Sequence, residues 1–155
     1  EKVLVDFNDQ ESFRLALENC EIIMCAIGTT QKKVRGNLAA YRKIDYDIAV
    51  QAARFGKAGG CRKFVLVSAV GANSKSRNFY LRLKGETEEA VQASGIEKVY
   101  ILRPSLLLGN RKETRPLEKI AGWLLRPVSF ILPAKYRPVK AKDVARAMLN
   151  AVKYG

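Results

Sequence analysis

The chain contains no histidine. That absence removes Ser-His and Cys-His nucleophilic catalysis and most zinc sites. Cysteine is scarce: Cys20, Cys25 and Cys61 are the three, and no two form a Cys-x-x-Cys pair. Cys25 and Cys61 lie in or beside apolar, strand-like runs. All three are expected to be reduced, mostly buried thiols of a cytoplasmic protein. No apolar run reaches the roughly 18 residues that a membrane span needs. Glu1-Lys-Val-Leu-Val-Asp6 lacks the pattern of a signal peptide and reads as the start of a strand. No internal repeat or low-complexity tract is present.

Acidic residues are also few. Lys and Arg number 28 against 15 Asp and Glu, a formal net charge of +13 over 155 residues. Such a balance suits phosphorylated ligands, an acidic membrane surface or nucleic acid. The basic residues are scattered, however, without a block of five or six. The densest groups are Lys32-Lys33-x-Arg35, Arg111-Lys112 with Arg115, and Lys135 through Lys142. This pattern fits a solvated basic surface and argues against nucleic acid. Hydrophobic residues make up 48%, enough for the core of one domain over 1–155.

Strands and helices alternate along the chain. Val3–Asp6, Ile22–Ile27, Phe64–Val67 and Val99–Leu102 are short apolar runs that read as strands. Pro138-Val139 is a further short candidate. Gln10–Leu17, Tyr41–Phe55, Phe79–Ala93, Leu117–Leu125 and Asp143–Val152 have helical spacing. Ile44, Ile48, Ala52 and Phe55 form the apolar stripe of the second helix, and Asp143 stands where a cap for the last one is expected. Strands without in/out alternation imply burial on both faces, and helices between them imply a parallel sheet. The predicted fold class is α/β, a doubly wound parallel sheet. Ligands of such sheets sit at the carboxyl ends of the strands. Those ends are Asp6-Phe7, Ala26–Thr30, Ser68–Gly71 and Arg103–Leu108.

Tyr80-Leu-Arg-Leu-Lys84 opens the helix that follows one such end. Positions four apart share a helix face. A cation held near a phenol favours its ionised form, and such a phenol can exchange a proton with a carbonyl or alcohol. By spacing alone the pair fits an ordinary surface helix with a half-buried tyrosine better.

The phrases along the chain together resemble the short-chain dehydrogenase superfamily. They are most similar to its atypical, NADP-binding Tat-interactive protein branch and bacterial relatives. They are Val5-Asp6-Phe7, Cys25-Ala-Ile-Gly28-Thr-Thr30, Phe64-Val-Leu-Val-Ser68-Ala-Val-Gly-Ala72, Tyr80-x-x-x-Lys84-Gly-Glu86, Leu102-Arg-Pro104-Ser-x-Leu-Leu108, Arg111-x-x-x-Arg115-Pro116-x-Glu118 and Pro138-Val-x-x-x-Asp143-Val-Ala145. The resemblance implies a Rossmann-like NAD(P)-binding sheet. It implies NADP as cofactor, with NAD as the alternative, and a small carbonyl or alcohol substrate. A protein partner or a homodimer is a further expectation. Glycines spaced Gly-x-x-Gly-x-x-Gly, which normally let backbone and helix approach the pyrophosphate, are missing. By the resemblance Val3–Asp6 is the third strand, the first two βα units are absent, and one flank of the sheet is bare. The chain is therefore expected to be part of a longer protein.

The same resemblance implies the site residues. Tyr80 would be the general acid/base, and Lys84 would lower its pKa and hold the nicotinamide ribose. Ser68 would polarise the substrate carbonyl. The usual position for that hydroxyl holds Ala69, and Ser74 and Ser76 are further candidates. Asp6 and Phe7 would meet the adenine. Ala26, Gly28 and Thr29 would lie against the adenosine ribose and diphosphate. Pro104 and Ser105 would face the nicotinamide. Arg111 and Arg115 would line the substrate side, or form an Arg–Glu network with Glu118. Arg103 is expected to pair with an acid inside the fold. Residues 120–133, rich in Trp, Leu and Phe, would be core, pocket cap or dimer face. Three functions are compatible with these readings: an NAD(P)-dependent oxidoreductase, a nucleotide-sugar epimerase, and an NADP-binding regulatory module with little catalysis.

Overall fold

The computed structural model describes residues 2–108 and 137–155. The expected helix Leu117–Leu125, the Arg111–Glu118 motif and the segment 120–133 lie outside the described residues. In chain order the elements are α1 (Gln10–Ala16), β1 (Ile22–Cys25), α2 (Leu38–Arg42), a π-helical turn (Lys43–Asp47), α3 (Ile48–Ala58), β2 (Lys63–Val67), α4 (Phe79–Gln92), β3 (Lys98–Leu102), β4 (Leu107–Leu108), β5 (Val139–Lys140) and α5 (Ala141–Tyr154).

Short polar side chains start three of the helices by accepting orphan backbone N–H groups. Asp9 accepts from Glu11 and Ser12 at 3.1 and 3.2 Å. Asn37 accepts from Ala40 at 3.0 Å and Asn78 from Leu81 at 3.1 Å. Asp143 does not cap α5, contrary to expectation: β5 runs directly into the helix at Lys140, so Asp143 falls inside the first turn. There its charge still favours the positive end of the helix dipole. At the other end of α5, Lys63 Nζ and Lys98 Nζ donate to the carbonyls of Val152 (2.7 Å) and Gly155 (3.1 Å).

β1, β2 and β3 form a parallel sheet in that order. Leu66 stands opposite Cys25 on one side and Ile101 on the other. Phe64, Val65 and Leu66 are successive and all buried. Phe64 and Leu66 enter a core with Phe13, Ile23, Cys25, Ala49, Ala53 and Val91. Val65 points to the opposite face, the side left to α5, which packs on β2 and β3. Burial on both faces is why the strand shows no alternation. The fold is therefore α/β with helices on both faces of a parallel sheet. β4 and β5, unforeseen as a pair, make a separate two-stranded parallel ladder.

Val3–Asp6 is not a strand. Residues 2–6 have no regular structure, with Val3 70% and Leu4 99% exposed. An apolar run becomes a strand only where a ladder partner takes its N–H and C=O groups, and none stands beside it among the described residues. The sheet is correspondingly incomplete: among the described residues β1 has one hydrogen-bonded neighbour, and Ile22 and Met24 on its second face are exposed.

Burial pushes the thiols of Cys25 and Cys61 above the ordinary range, against smaller opposing contributions from backbone hydrogen bonds. The folded state thus holds these protons more tightly than the unfolded state. Their contribution is fully present below about pH 8.5, the free-thiol value, and is lost as pH rises beyond it. Urea unfolding at pH 7.5 and 9.5 is expected to give a smaller stability at the higher pH. A Cys25→Ala/Cys61→Ala variant should show a shallower decline; an identical decline would count against these thiols as its source.

Candidate functional site

The core-facing side of α4 carries Leu83, Lys84, Thr87, Glu88 and Val91, all buried. Two of these are charged, and each meets an opposite charge from another element. Lys84 Nζ lies 2.9 Å from Asp45 Oδ1, with both side chains under a tenth exposed. Asp45 Oδ2 accepts the backbone N–H of Thr29 at 2.7 Å. Thr87 Oγ1 donates to the Leu83 carbonyl at 2.7 Å and lies 3.4 Å from that of Asp45. Asp45 belongs to the π-helical turn, a feature frequent at functional sites.

Gly28 completes the arrangement. A Cβ there would stand 3.3 Å from Asp45 Oδ1 and 4.0 Å from Lys84 Nζ. The Thr29 carbonyl accepts the Tyr41 hydroxyl at 3.3 Å. Both backbone groups of Thr29 are thus engaged inside the fold. Ala26 and Gly28 remain exposed at the end of β1.

Tyr80 is the second residue of α4 and is 38% exposed. Lys84 Nζ lies 6.0 Å from the centre of its ring. The loop from Gly71 to Asn78 passes across the next turn, where the Asn73 N–H donates to the Leu81 carbonyl at 3.0 Å. Gly85 permits this crossing, since a Cβ there would overlap the backbone of Asn73 and Ser74. Ser74 and Ser76 do not turn into the site: Ser74 Oγ bonds to Glu89, and Ser76 Oγ accepts from Asn78 N at 3.2 Å.

Ser68 follows β2, and its N–H continues the ladder to the Leu102 carbonyl at 2.7 Å. Its hydroxyl is buried and has no hydrogen-bond partner. An unpaired buried hydroxyl costs roughly 1–3 kcal/mol, and Tyr100 Oη is a second such group among the described residues. Ala69 beside it is buried. Pro104 accepts the Val70 N–H at 2.9 Å, and Ser105 Oγ donates to the Arg137 carbonyl. Arg103 grips buried Glu88 through Nε at 3.0 Å and a second bond from Nη2, the fork expected of guanidinium with carboxylate. That carboxylate holds the Arg103 pKa above its ordinary value.

Asp6 and Phe7 line an open cleft of about 360 Å³ with Val5, Asn8, Lys43, Ile44, Asp47, Ile48 and Gln51. Asp6 Oδ1 accepts from the backbone N–H and Nδ2 of Asn8 at 2.9 and 2.8 Å. The Asn8 bonds, backbone first, hold its carboxyl below the usual range, with Lys43 adding a smaller pull. Phe7 stacks edge-on against Phe13 at 4.9 Å. Tyr80, Lys84 and Ser68 are not among the residues of this cleft. Arg111 and Arg115 lie outside the described residues.

The sequence of residues 1–154 matches the family of NAD(P)H-binding proteins. The chain belongs to that family. Its cofactor class is accordingly NAD(P)H. Protein HTATIP2 of Rattus norvegicus is 34% identical over 150 residues, 95% of this chain and 60% of the relative. Protein fmp52, mitochondrial, of Emericella nidulans is 41% identical over 100 residues, 64% of this chain and 42% of the relative. The chain thus spans about half the length of these family members. The fold is also that of RMD from Pseudomonas aeruginosa complexed with NADPH (TM-score 0.71, 18% identity, 99% of this chain and 64% of that one). It is likewise that of UDP-glucose 4-epimerase from Thermotoga maritima (TM-score 0.69, 17% identity, 95% and 57%).

The cytoplasmic expectation is corrected by these relatives, several of which are named mitochondrial. Reduced thiols mark a reducing compartment, and the cytosol is only one such compartment. Among the described residues no helix is long and apolar enough to cross a membrane.

Asp45 and Glu88 were not foreseen as partners for the site. Asp45 was legible in one respect: it stands between Tyr41 and Ile48 on a stripe otherwise apolar, where a carboxylate needs a counter-charge. Replacing Arg103 by Ala removes the partner of buried Glu88 and, because Arg103 is itself half exposed, is expected to cost about 1–2 kcal/mol, measured by urea unfolding. Arg103→Lys, which keeps charge but loses the fork, should fall between. Wild-type stability in Arg103→Ala would show that the pair contributes nothing.

Proposed function

We propose that this chain carries the catalytic helix of an NAD(P)-dependent oxidoreductase of the short-chain dehydrogenase type, acting on a small carbonyl or alcohol. The observation that carries the reading is Tyr80 exposed at the start of α4, with the Lys84 ammonium 6.0 Å from its ring, in a chain of the NAD(P)H-binding family. Bound NAD(P)H would supply or accept the hydride. Tyr80 would give a proton to, or take one from, the substrate oxygen. Lys84 has three N–H donors. One faces Asp45, which leaves two for the hydroxyls of a ribose.

The residues fit a dinucleotide in part. The unpaired Ser68 hydroxyl is a candidate to meet substrate, and the Asp6–Phe7 cleft has room for an adenine. Exposed Ala26 and Gly28 offer backbone to the adenosine side, whereas Thr29 would act by holding its loop. Pro104 and Ser105 would face the nicotinamide through backbone, since the Ser105 hydroxyl is engaged. Arg111 and Arg115 remain candidates for the substrate side. The glycine loop for the diphosphate has no counterpart in this sequence. NADP is favoured over NAD by the resemblance alone.

Ala69 favours a second reading. With alanine where the carbonyl-polarising hydroxyl normally stands, the protein would bind NADP and present a surface to a protein partner, with little turnover. Likeness to an epimerase at 17% identity concerns the fold and adds nothing to the epimerase alternative.

Titration of the complete native polypeptide with NADPH and NADH, beside the 155-residue chain, tests the reading. The native polypeptide is expected to bind, and Tyr80→Phe to retain binding while kcat falls about 10²–10⁴-fold. Binding without turnover in either form would select the regulatory reading. Absence of binding by the native polypeptide would sink both.

A further inference from the structure

We propose that Cys20 and Cys61 form a peroxide-sensitive pair that closes to a disulfide across the amino-terminal end of the sheet. This site is independent of the oxidoreductase reading, which concerns the carboxyl end.

Strand register places the two thiols together. β1 and β2 are parallel, with Ile22 opposite Lys63. Two residues before that pair stand Cys20 and Cys61. Hydrogen bonding reaches almost to them, since the Glu21 carbonyl accepts the N–H groups of Arg62 and Lys63 at 2.9 and 3.1 Å. Neighbouring strands run about 4.8 Å apart, within the roughly 4.4–6.8 Å between Cα atoms that a disulfide spans. The turns leading into the two strands also touch. A Cβ at Gly59 would stand 3.1 Å from the Leu17 carbonyl oxygen and 3.3 Å from the Glu18 Cα.

The side chains agree with the backbone. Cys61 is 3% exposed and belongs to the core, and Cys20 packs against that same core while staying partly accessible. The thiols are near enough for Cys20 to add to the upward push that burial gives Cys61. Each holds only a weak hydrogen bond: Cys20 Sγ lies 3.9 Å from the Ala16 carbonyl oxygen, and Cys61 Sγ 3.2 Å from that of Lys63. Cys25 is the internal control. It is buried at the other end of β1, with Leu66 as its register partner.

The difference in exposure divides the roles. Cys20 meets hydrogen peroxide first. Its sulfur attacks one peroxide oxygen, the O–O bond breaks, and the departing hydroxide leaves as water with the thiol proton. The Cys61 sulfur then attacks the sulfenic acid left on Cys20. An S–S bond forms, the S–O bond breaks, and the hydroxyl leaves with the Cys61 proton as a second water. The two thiols have lost two electrons, and the peroxide has gained them. A dithiol reductant reverses the bond by exchange. The disulfide closes the crossover that carries α2, the π-helical turn and α3, and so removes freedom from the unfolded chain.

The complete native polypeptide, reduced and then exposed to a few equivalents of hydrogen peroxide, tests the pair. Remaining thiols are alkylated under unfolding conditions, and peptides are mapped by mass. A peptide pair joined through Cys20 and Cys61, and released by dithiothreitol, is expected, with Cys25 alkylated. In Cys61→Ser, Cys20 should accumulate as sulfenic acid, trapped by a dione probe. In Cys20→Ser, Cys61 should stay alkylatable. The joined form is expected to melt about 5 °C above the reduced form, a shift absent from Cys20→Ser. Sulfinic acid on Cys20 beside an intact Cys61 thiol would overturn the proposal. So would a bond through Cys25 instead, no oxidation of either thiol, or an unchanged melting point in the joined form. The bond is read in the native protein, so a variant that fails to fold leaves the test standing.

Discussion

A carboxylate and an ammonium sit together in the interior of this fold, and the other contacts of the site are arranged around them. Neither charge would be stable there alone, because an isolated buried ion carries a desolvation cost of several kcal/mol. Once paired, Asp45 and Lys84 restrict their surroundings. Asp45 also accepts the Thr29 N–H, and a Cβ at Gly28 would stand 3.3 Å from its Oδ1. The same logic operates one turn further along α4, where Glu88 is buried and Arg103 reaches in from the end of β3. One helix thus carries two inward charges, each bonded to a different strand end or crossover. Those bonds set the height and rotation of α4, and with them the place of Tyr80.

The sheet beneath is asymmetric. β2 is covered on both faces and is the most deeply buried element, whereas β1 is half open. Ile22 and Met24 are the exposed apolar side of that asymmetry. The carboxyl ends of the strands nevertheless align, because parallel pairing continues past β2 through the Ser68 and Val70 amides to the carbonyls of Leu102 and Pro104. Ser68 is held at that edge by its backbone while its hydroxyl remains unpaired. Ala69, next to it, offers no hydroxyl. The proposed acid/base pair and the alanine at the proposed carbonyl-polarising position therefore pull in different directions, which is the tension between the enzymatic and regulatory readings.

Most of the architecture was legible from the chain. Phe64–Val67 read as a buried strand and Val99–Leu102 as an apolar one, because β-branched and aromatic residues run together without alternation; β3 is only half-buried. Phe79–Ala93 read as a helix from its spacing, and Asn78 supplies its cap. Tyr80 and Lys84 share a face as their separation requires. The pairing of Arg103 with an interior acid was also anticipated. Val3–Asp6 was misread because composition reports that a segment is apolar and not whether a partner strand lies beside it. The cap lies at Lys140, three residues before Asp143, because the short ladder of β4 with β5 starts the last helix earlier than its apolar stripe suggests.

The sequence by itself determined the alternation of strands and helices, the parallel sheet, the family and the Tyr80–Lys84 pair. Each of these depends on local spacing, side-chain shape or ordered phrases, which a linear chain displays directly. Only the tertiary structure decided that Lys84 belongs to Asp45, that Gly28 is small to admit that carboxylate, that Ser74 and Ser76 turn away, and that the Ser68 hydroxyl is left unpaired. These outcomes depend on which groups meet across tens of residues in a space closed to water. There a charge or hydroxyl takes its energy from its nearest partner, and its place along the chain does not name that partner.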